Sequence, residues 1–336
     1  MKITVLGAGA WGTTLALVLL DNSNSVTLWE RSQQYRDYMV ANSENSTYLP
    51  GVKLPPSLNI SSDLIETITG RDIIICAVPS QFLRGVLNQI DYSLIKDSIF
   101  VSVSKGIEQD TTLTVTQIIQ DVYKKLPASQ LGVLSGPSHA EEVSKKVPTT
   151  VVSASSDSKT ANTIQNIFMT DYFRVYTTGD VPGVELGGAF KNVIAIGAGI
   201  IDGIGYGDNT KAAIMTRGVA EVTRLGIAMG ANPETFSGLS GIGDLIVTCM
   251  SKHSRNRYVG EKIGKGMKLQ EVLKTMNAVA EGIHTSKSAS DLAKKFNVET
   301  PITNEVYKIL FEDKDPKLAT YDLMTRDRKN ENVFNL

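Results

Sequence analysis

The stretch MKITVLGAGAWGTTLALVLL (1–20) decides the fold. Ile3–Leu6 has the β-branched, apolar character of a strand, and Thr13–Leu20 that of an apolar helix; between them stands Gly7-Ala8-Gly9-Ala10-Trp11-Gly12. A bare G-x-G-x-x-G carries little weight. Between strand and helix it carries much more, because Gly7 makes the turn, Gly9 lets the backbone approach a pyrophosphate, and Gly12 lets the helix pack on the strand. The first amides of that helix then hold the phosphates.

Working outward, short apolar runs recur at Ser25–Trp29, Asp72–Val78, Ile99–Val103, Leu131–Leu134, Thr150–Val152 and Phe173–Tyr176, separated by stretches long enough for helices. Runs such as DIIICAV and SIFVSVS are almost unbroken in apolar or small residues, as parallel strands buried on both faces should be. After Gly183 helical patterns take over: Val184–Ile201, Asn209–Leu225, Ser254–Ile263, Leu269–Met276 and Ser286–Phe296. The predicted fold is α/β, an N-terminal Rossmann-like doubly wound sheet over 1–183 followed by an all-helical C-terminal domain over 184–336. The charged stretches EDKDP and TRDRKNEN read as solvated surface.

Composition narrows the partners. The 336 residues carry 34 Lys+Arg against 35 Asp+Glu, a net charge of −1, so no basic surplus exists to grip nucleic acid or an anionic membrane. Any anion must be caught by a local cluster. Two cysteines and three histidines make neither a disulfide framework nor a metal site, and none is expected. The opening segment lacks the features of a signal peptide, and the longest later apolar run, Val193–Ile201, falls far short of the about 20 residues needed to span a bilayer. The expectation is a cytoplasmic protein with no membrane insertion.

The second strand ends at Trp29-Glu30-Arg31, near the position where a dinucleotide fold places its ribose-binding acid. Glu30 favours NAD; Arg31 suits the 2′-phosphate of NADP, so both cofactors stay open. Ligands of open α/β sheets sit beyond the carboxyl ends of the strands. Three segments follow such ends: Ala77-Val78-Pro79-Ser80, Ser104-Lys105-Gly106 and Ser135-Gly136-Pro137-Ser138-His139-Ala140. Lys105 should project into the ligand crevice. His139 and Glu141 mimic an H-x-E metal motif, but no downstream C-x-x-C accompanies them.

In the helical half, Val184–Ala198 places Lys191 on a stripe whose neighbours include Gly187, Gly188, Ala195 and Ala198. Helix-interior glycines cost about 1 kcal/mol each relative to alanine, so Gly187, Gly188 and Gly197 require close approach of a ligand or another backbone. The alternative is tight helix packing with Lys191 snorkelling to water. Further on, Ser240-Gly241-Ile242-Gly243-Asp244 reads as a flexible loop carrying one carboxylate. Ser254-Arg255-Asn256 reads as a helix start with Ser254 as N-cap, where amides, dipole and a forked cation suit a phosphate monoester.

With these motifs in view, the sequence resembles the bacterial-type NAD(P)-dependent glycerol-3-phosphate dehydrogenases over essentially its whole length. The resemblance rests on GAGAWG (7–12), SKGIE (104–108), GPSHAEEV (136–143), VELGGAFKNVIAIGAGIIDG (184–203), NTKAAIMTRG (209–218), SGIGDLIVTC (240–249), SRNRYVG (254–260) and VAEG (279–282). It implies reduction of dihydroxyacetone phosphate to sn-glycerol 3-phosphate, the backbone precursor of glycerophospholipids, by a homodimer using NAD or NADP. It further implies that Lys191 is the catalytic lysine, and that Lys105 and Asp244 lie around the reacting carbon. Gly136, Ser138, Ser254, Arg255 and Asn256 match substrate-binding positions. Cofactor contacts match Gly7, Gly9, Ala10, Trp11, Gly12, Arg31, Lys105, Ala140, Arg255, Val279 and Glu281. Ala10 departs from the serine common there, losing a hydroxyl, and Glu30 stands where glycine is frequent, tilting the choice toward NAD. Tyr48 of TYLPG falls toward the adenosine side of the resemblance.

Hydride transfer at C4 of a nicotinamide leaves the protein one proton and a developing oxyanion to manage. A lysine ordinarily titrates at about 10.4; partial desolvation and the charge of Lys105 should lower Lys191, while Asp244 pulls the other way. The expected outcome is that Lys105, Lys191 and Arg255 converge on one small anion. Two other readings remain: a related two-domain β-hydroxyacid or 6-phosphogluconate-type dehydrogenase, and a non-catalytic dinucleotide sensor, which would have lost Lys191, Lys105 or Asp244.

Overall fold

Strand pairing accounts for the unbroken apolar runs. The computed structural model describes residues 1–276, 279–328, 330 and 331, and its strands are β1 (Lys2–Leu6), β2 (Ser25–Trp29), β3 (Glu44–Asn45), β4 (Leu49–Lys53), β5 (Asn59–Ser61), β6 (Ile73–Cys76), β7 (Ile99–Ser102), β8 (Leu131–Ser135), β9 (Thr149–Ala154) and β10 (Phe173–Thr178). One sheet has the order β10-β9-β8-β7-β6-β1-β2-β5, and β3 and β4 form a separate hairpin. Ile3 of β1 lies beside Val26 on one flank and Ile73 on the other. The strand order therefore reverses at β1, and the crevice beyond its carboxyl end, where Gly7–Gly12 lies, is where such sheets bind ligands. Ile73–Cys76 are wholly buried because helices cover both faces of the sheet.

Two features differ from the predicted sheet. β9 runs antiparallel to β8, while β10 is parallel to β9. The chain from Gly136 to Pro148 holds only a four-residue helix, Ala140–Val143, too little for the crossover that a parallel return needs, so it stays at the carboxyl end of β8. The short polar strands β3, β4 and β5 break the expected apolar pattern and were not predicted; β4 contains Pro50 and Gly51.

The chain divides into two units, Met1–Lys105 with Thr114–Val184, and Gly106–Leu113 with Glu185–Leu336. Neither is one unbroken stretch. The first unit holds α1 (Ala10–Asp21), α2 (Gln33–Asn42), α3 (Leu64–Ile68), α4 (Ser80–Leu87), α5 (Val115–Val122), α6 (Ala140–Val143) and α7 (Ser158–Phe168), and its core joins Val5, Leu15, Leu28, Ile75, Val101 and Phe173. The second is built from α8 (Val181–Ile204), which begins at the boundary, α9 (Asp208–Ala228), α10 (Asp244–Met250), α11 (Arg255–Gly264), α12 (Leu269–Lys274), α13 (Glu281–Lys295), α14 (Pro301–Phe311) and α15 (Pro316–Met324). Ser288 of α13 holds the segment Gly106–Leu113 in this unit, its hydroxyl lying 3.3 Å from the carbonyls of Ile107 and Glu108.

Helix α8 is long and apolar enough to cross a membrane by length and composition, which the nine-residue run did not suggest, but its apolar window is entirely buried within the fold. It is a core helix, contributing Phe190, Val193, Ile194 and Ile196. Gly187, Gly199 and Gly203 serve backbone packing, while Gly197 packs on the Ile214 side chain. A Cβ on Gly199 would stand 2.0 Å from the Arg257 carbonyl, on Gly203 2.3 Å from that of Glu261, on Gly260 2.0 Å from that of Ile196, and on Gly264 2.4 Å from that of Ile200. Two G-x-x-x-G faces, one on α8 and one on α11, thus meet backbone to backbone. Gly187 gives the same close approach to the Ser240 carbonyl, 2.5 Å from its would-be Cβ.

The second unit also has an apolar groove of about 750 Å³ walled by Ile200, Ile214, Val306 and Leu323, with Glu221 in its lining. Glu221 of α9 is buried and caps α14 from outside, accepting from the amides of Ile302 at 2.7 Å and Thr303 at 3.2 Å. The EDKDP stretch is not simply solvated, because Lys314 is 16% exposed and pairs with Glu305 and, at 2.6 Å, with Asp322. Lys329 and Asn332 of the TRDRKNEN tail lie outside the described residues.

Candidate functional site

In the first unit, the turn after β1 has the shape that its glycines require. Gly7 sits at φ +108°, and a side chain there would press on the Ala77 backbone at 3.1 Å; a Cβ on Gly12 would stand 2.0 Å from the Gly7 carbonyl. A Cβ on Gly9 meets nothing within 4 Å, so open space faces the turn at that point. Gly9 is also the N-cap of α1 and supplies no side-chain cap, which leaves first-turn amides of Ala10 and Trp11 to an outside acceptor. The buried indole N–H of Trp11 has no partner among the described residues. These features fit the pyrophosphate of a dinucleotide.

At the end of β2, Glu30 is buried and one carboxylate oxygen accepts from the Ser32 amide at 2.9 Å. Part of its acceptor capacity is therefore committed to the entry of α2, whose cap is Ser32. Arg31 is exposed and forms no ion pair among the described residues. Both NAD and NADP remain compatible with this edge.

Beyond β7 and β8, three of the predicted residues come together. Lys105 Nζ donates to the Gly136 carbonyl at 2.9 Å and lies 3.5 Å from the Ser138 hydroxyl, which itself donates to the Gly136 carbonyl at 2.9 Å. Gly136 is fixed at φ +140°, with a would-be Cβ only 2.9 Å from Val151. Ala140 opens α6, and its carbonyl accepts from Thr14 of α1 at 3.4 Å, tying this loop to the helix of the phosphate turn.

In the second unit, Lys191 of α8 is buried and its ammonium is paired with the buried carboxylate of Asp244. It also donates to the Thr248 hydroxyl at 2.8 Å, and that hydroxyl donates to the Asp244 carbonyl at 2.7 Å. Lys191 does not snorkel to water. The segment before Asp244 is a wide turn kinked at Gly241, whose backbone is non-helical at φ −96° and ψ −106°, and Asp244 is the first residue of α10. Gly241 allows it, since a Cβ there would stand 2.1 Å from the Phe236 carbonyl. Thr248 was missed by the sequence reading, although it lies four residues past Asp244 on the same helix face, a spacing that signals a shared partner.

Ser254 caps α11 as predicted, accepting from the Arg257 amide at 3.2 Å. Arg255 is exposed and, among the described residues, forms no ion pair, whereas Arg257 is committed to Asp202 at 2.7 Å. Asn256 is buried; it donates to the Asn192 side chain at 2.9 Å and accepts from the Gly282 amide at 3.0 Å, linking α8, α11 and α13. Asn192 was another omission of the sequence reading, one residue from Lys191. Val279 is half-buried, and half-buried Glu281 opens α13. Cys249 lies near this cluster, but burial pushes its thiol up to about 12, which removes it as a nucleophile.

The comparisons with known proteins agree over both units. Residues 2–161 match the family model for the NAD-dependent glycerol-3-phosphate dehydrogenase N-terminus, and 180–321 match that for its C-terminus. A protein of Chlorobium phaeobacteroides named glycerol-3-phosphate dehydrogenase (NAD(P)+) is 53% identical over 331 residues, covering 98% of this chain and 99% of the relative. One of the same name from Geobacter sulfurreducens is 51% identical over 330 residues, covering 98% of each. The crystal structure of glycerol-3-phosphate dehydrogenase from Coxiella burnetii superimposes with a TM-score of 0.92 at 36% identity, covering 97% of this chain and 99% of that one. With both halves matched and half the residues shared with full-length relatives, the chain belongs to the NAD-dependent glycerol-3-phosphate dehydrogenase family.

Proposed function

We propose that the protein reduces dihydroxyacetone phosphate to sn-glycerol 3-phosphate with NADH or NADPH, and that Lys191 delivers the proton. Family membership makes it an NAD(P)-dependent oxidoreductase. The observation that carries the residue-level reading is the buried Lys191, held by Asp244 and Thr248.

When bound, the nicotinamide supplies or accepts the hydride at its C4. The chain's own task is the proton and the charge on oxygen. As the carbonyl is reduced, its oxygen gains negative charge, and the Lys191 ammonium both stabilises that charge and gives up one proton to complete the hydroxyl. In the reverse direction the neutral amine takes the hydroxyl proton. Asp244 and Thr248 fix the position of Nζ in either direction, so little reorganisation is needed during the reaction.

The remaining assignments follow the resemblance to the family, position by position. Gly7, Gly9, Ala10, Trp11 and Gly12 hold the pyrophosphate, with Arg31, Ala140, Val279 and Glu281 as further cofactor contacts. Lys105, Gly136, Ser138, Asp244, Ser254, Arg255 and Asn256 bind substrate. Arg255 serves the phosphate, since it combines a guanidinium with the N-terminus of α11, and it contacts the cofactor too. The enzyme acts as a cytoplasmic homodimer feeding glycerophospholipid synthesis. Initial rates of NADH and NADPH oxidation with dihydroxyacetone phosphate, and with unphosphorylated dihydroxyacetone, test this reading. Turnover that depends on the phosphate supports it; equal rates on both ketones, or none on either, overturn it.

A further inference from the structure

The hairpin of β3 and β4 lies outside the main sheet, yet its residue Asn45 is wholly buried and fully hydrogen-bonded. Its amide nitrogen donates to the Ala8 carbonyl and to the Thr13 hydroxyl, both at 2.8 Å. Its amide oxygen accepts from the Tyr35 hydroxyl at 2.7 Å and from the Tyr48 amide at 3.3 Å. Two donors and two acceptor positions are all used, which also fixes which way the amide faces, because the Ala8 carbonyl must meet nitrogen and the Tyr48 N–H must meet oxygen. The pairing register of the hairpin shifts between Glu44 and Asn45, and such a bulge re-aims the side chain that follows.

Ala8 is the residue between the two glycines of the phosphate turn. In a planar trans peptide the carbonyl of Ala8 and the N–H of Gly9 point in opposite directions. Holding that carbonyl toward Asn45 therefore turns the Gly9 N–H away from it, and open space faces Gly9. The Thr13 hydroxyl, on the first turns of α1, reaches the same carbonyl at 3.4 Å and is held by the same amide. We infer that Asn45 is a positioning residue for the dinucleotide pyrophosphate, setting the peptide plane of the phosphate turn from outside the Gly7–Gly12 motif. On its other side the network continues into aromatic rings: Tyr35 stacks on Tyr38 with centroids 5.8 Å apart and meets Tyr48 edge-on at 6.1 Å. The side chain thus joins the phosphate turn to the tyrosines beyond it.

This inference rests on the turn binding a dinucleotide, and its test keeps the two claims apart. Asn45→Asp preserves shape and both acceptor contacts, but loses the donors and sets oxygen against the Ala8 carbonyl. Kd is measured by fluorescence titration of NADH and by calorimetry of ADP-ribose, on protein shown folded by circular dichroism. The expectation is a rise of about tenfold in both Kd values, because both ligands carry the pyrophosphate, with the KM for cofactor rising alike and kcat at saturating cofactor changing far less. Thr13→Val and Tyr35→Phe, each removing one partner of Asn45, are expected to raise both Kd values about two- to fivefold and serve if Asn45→Asp does not fold. Kd values within about twofold of wild type in folded Asn45→Asp, or, where that variant does not fold, unchanged from wild type in Thr13→Val and Tyr35→Phe, would overturn the inference and leave Asn45 a packing residue. Failure of the wild-type protein to bind NADH and ADP-ribose would instead overturn the dinucleotide reading beneath it.

Discussion

Lys191, midway along α8, and Asp244, the first residue of α10, form a buried ion pair whose third member, Thr248, lies one turn further along α10. A charge pair removed from water is stabilising only while both partners are present. Asp244→Asn should therefore leave an uncompensated ammonium and lower unfolding free energy by about 3–5 kcal/mol. It should also lower kcat by about a hundredfold, the size of misplacing a catalytic group. Chemical denaturation alongside initial rates checks this, and a variant of wild-type stability and turnover would show that the pair holds nothing in place.

Thr248→Val keeps the shape of the side chain and removes its hydroxyl. One acceptor for the lysine ammonium is lost while the carboxylate remains, so the expected fall in kcat is smaller, about tenfold, with cofactor affinity unchanged. Stopped-flow rates and an NADH titration on the same preparation separate the two effects.

Arg255→Ala removes an exposed guanidinium from the start of α11. The KM for the phosphorylated ketone should rise at least about 30-fold while that for cofactor rises much less, as expected for losing one member of a phosphate-recognition pair. Equal increases in both would place the arginine elsewhere than on the substrate phosphate.

Gly260→Ala tests the packing of α8 on α11. In an exposed helix this change is stabilising by about 1 kcal/mol, but here the new methyl would meet the Ile196 carbonyl at 2.0 Å. The expected result is a net loss of about 1–3 kcal/mol in urea unfolding. A gain in stability would mean that the two helices are not in backbone contact.

Glu221 gives a pH signature. Burial raises its carboxyl from 4.5 to about 7, against the opposing pull of the Ile302 and Thr303 amides and of Arg224. Between those values the folded state holds a proton that the unfolded chain releases, so this group's contribution to stability is full below pH 4.5, falls as pH rises toward 7, and is flat above. The stability of wild type minus that of Glu221→Gln should therefore decline by about 3 kcal/mol from pH 4.5 to pH 7. A difference independent of pH would contradict the assignment.

Much of the fold is legible in the sequence because burial on both faces leaves β6 wholly apolar, and because Gly7–Gly12 has one compatible geometry. The antiparallel step from β8 to β9 is not legible: apolar runs carry no direction. Helices α14 and α15 each begin with proline, Pro301 and Pro316, an N-terminal signal that was present and unused. The glycine stripe of α8 was read as a ligand approach or as packing; most of it packs, while the lysine among the glycines is buried and paired. Asn45 was invisible for a different reason. What it does depends on a bulge and on four partners from the phosphate turn, α1, α2 and the hairpin, and no local pattern announces such a side chain.

The central claim is that Lys191 carries the proton. The most direct measurement is single-turnover NADH oxidation with dihydroxyacetone phosphate in Lys191→Ala, on protein whose NADH Kd is determined separately. The expected result is loss of at least about a thousandfold in rate with Kd within about twofold of wild type. A rate near that of wild type would contradict the account.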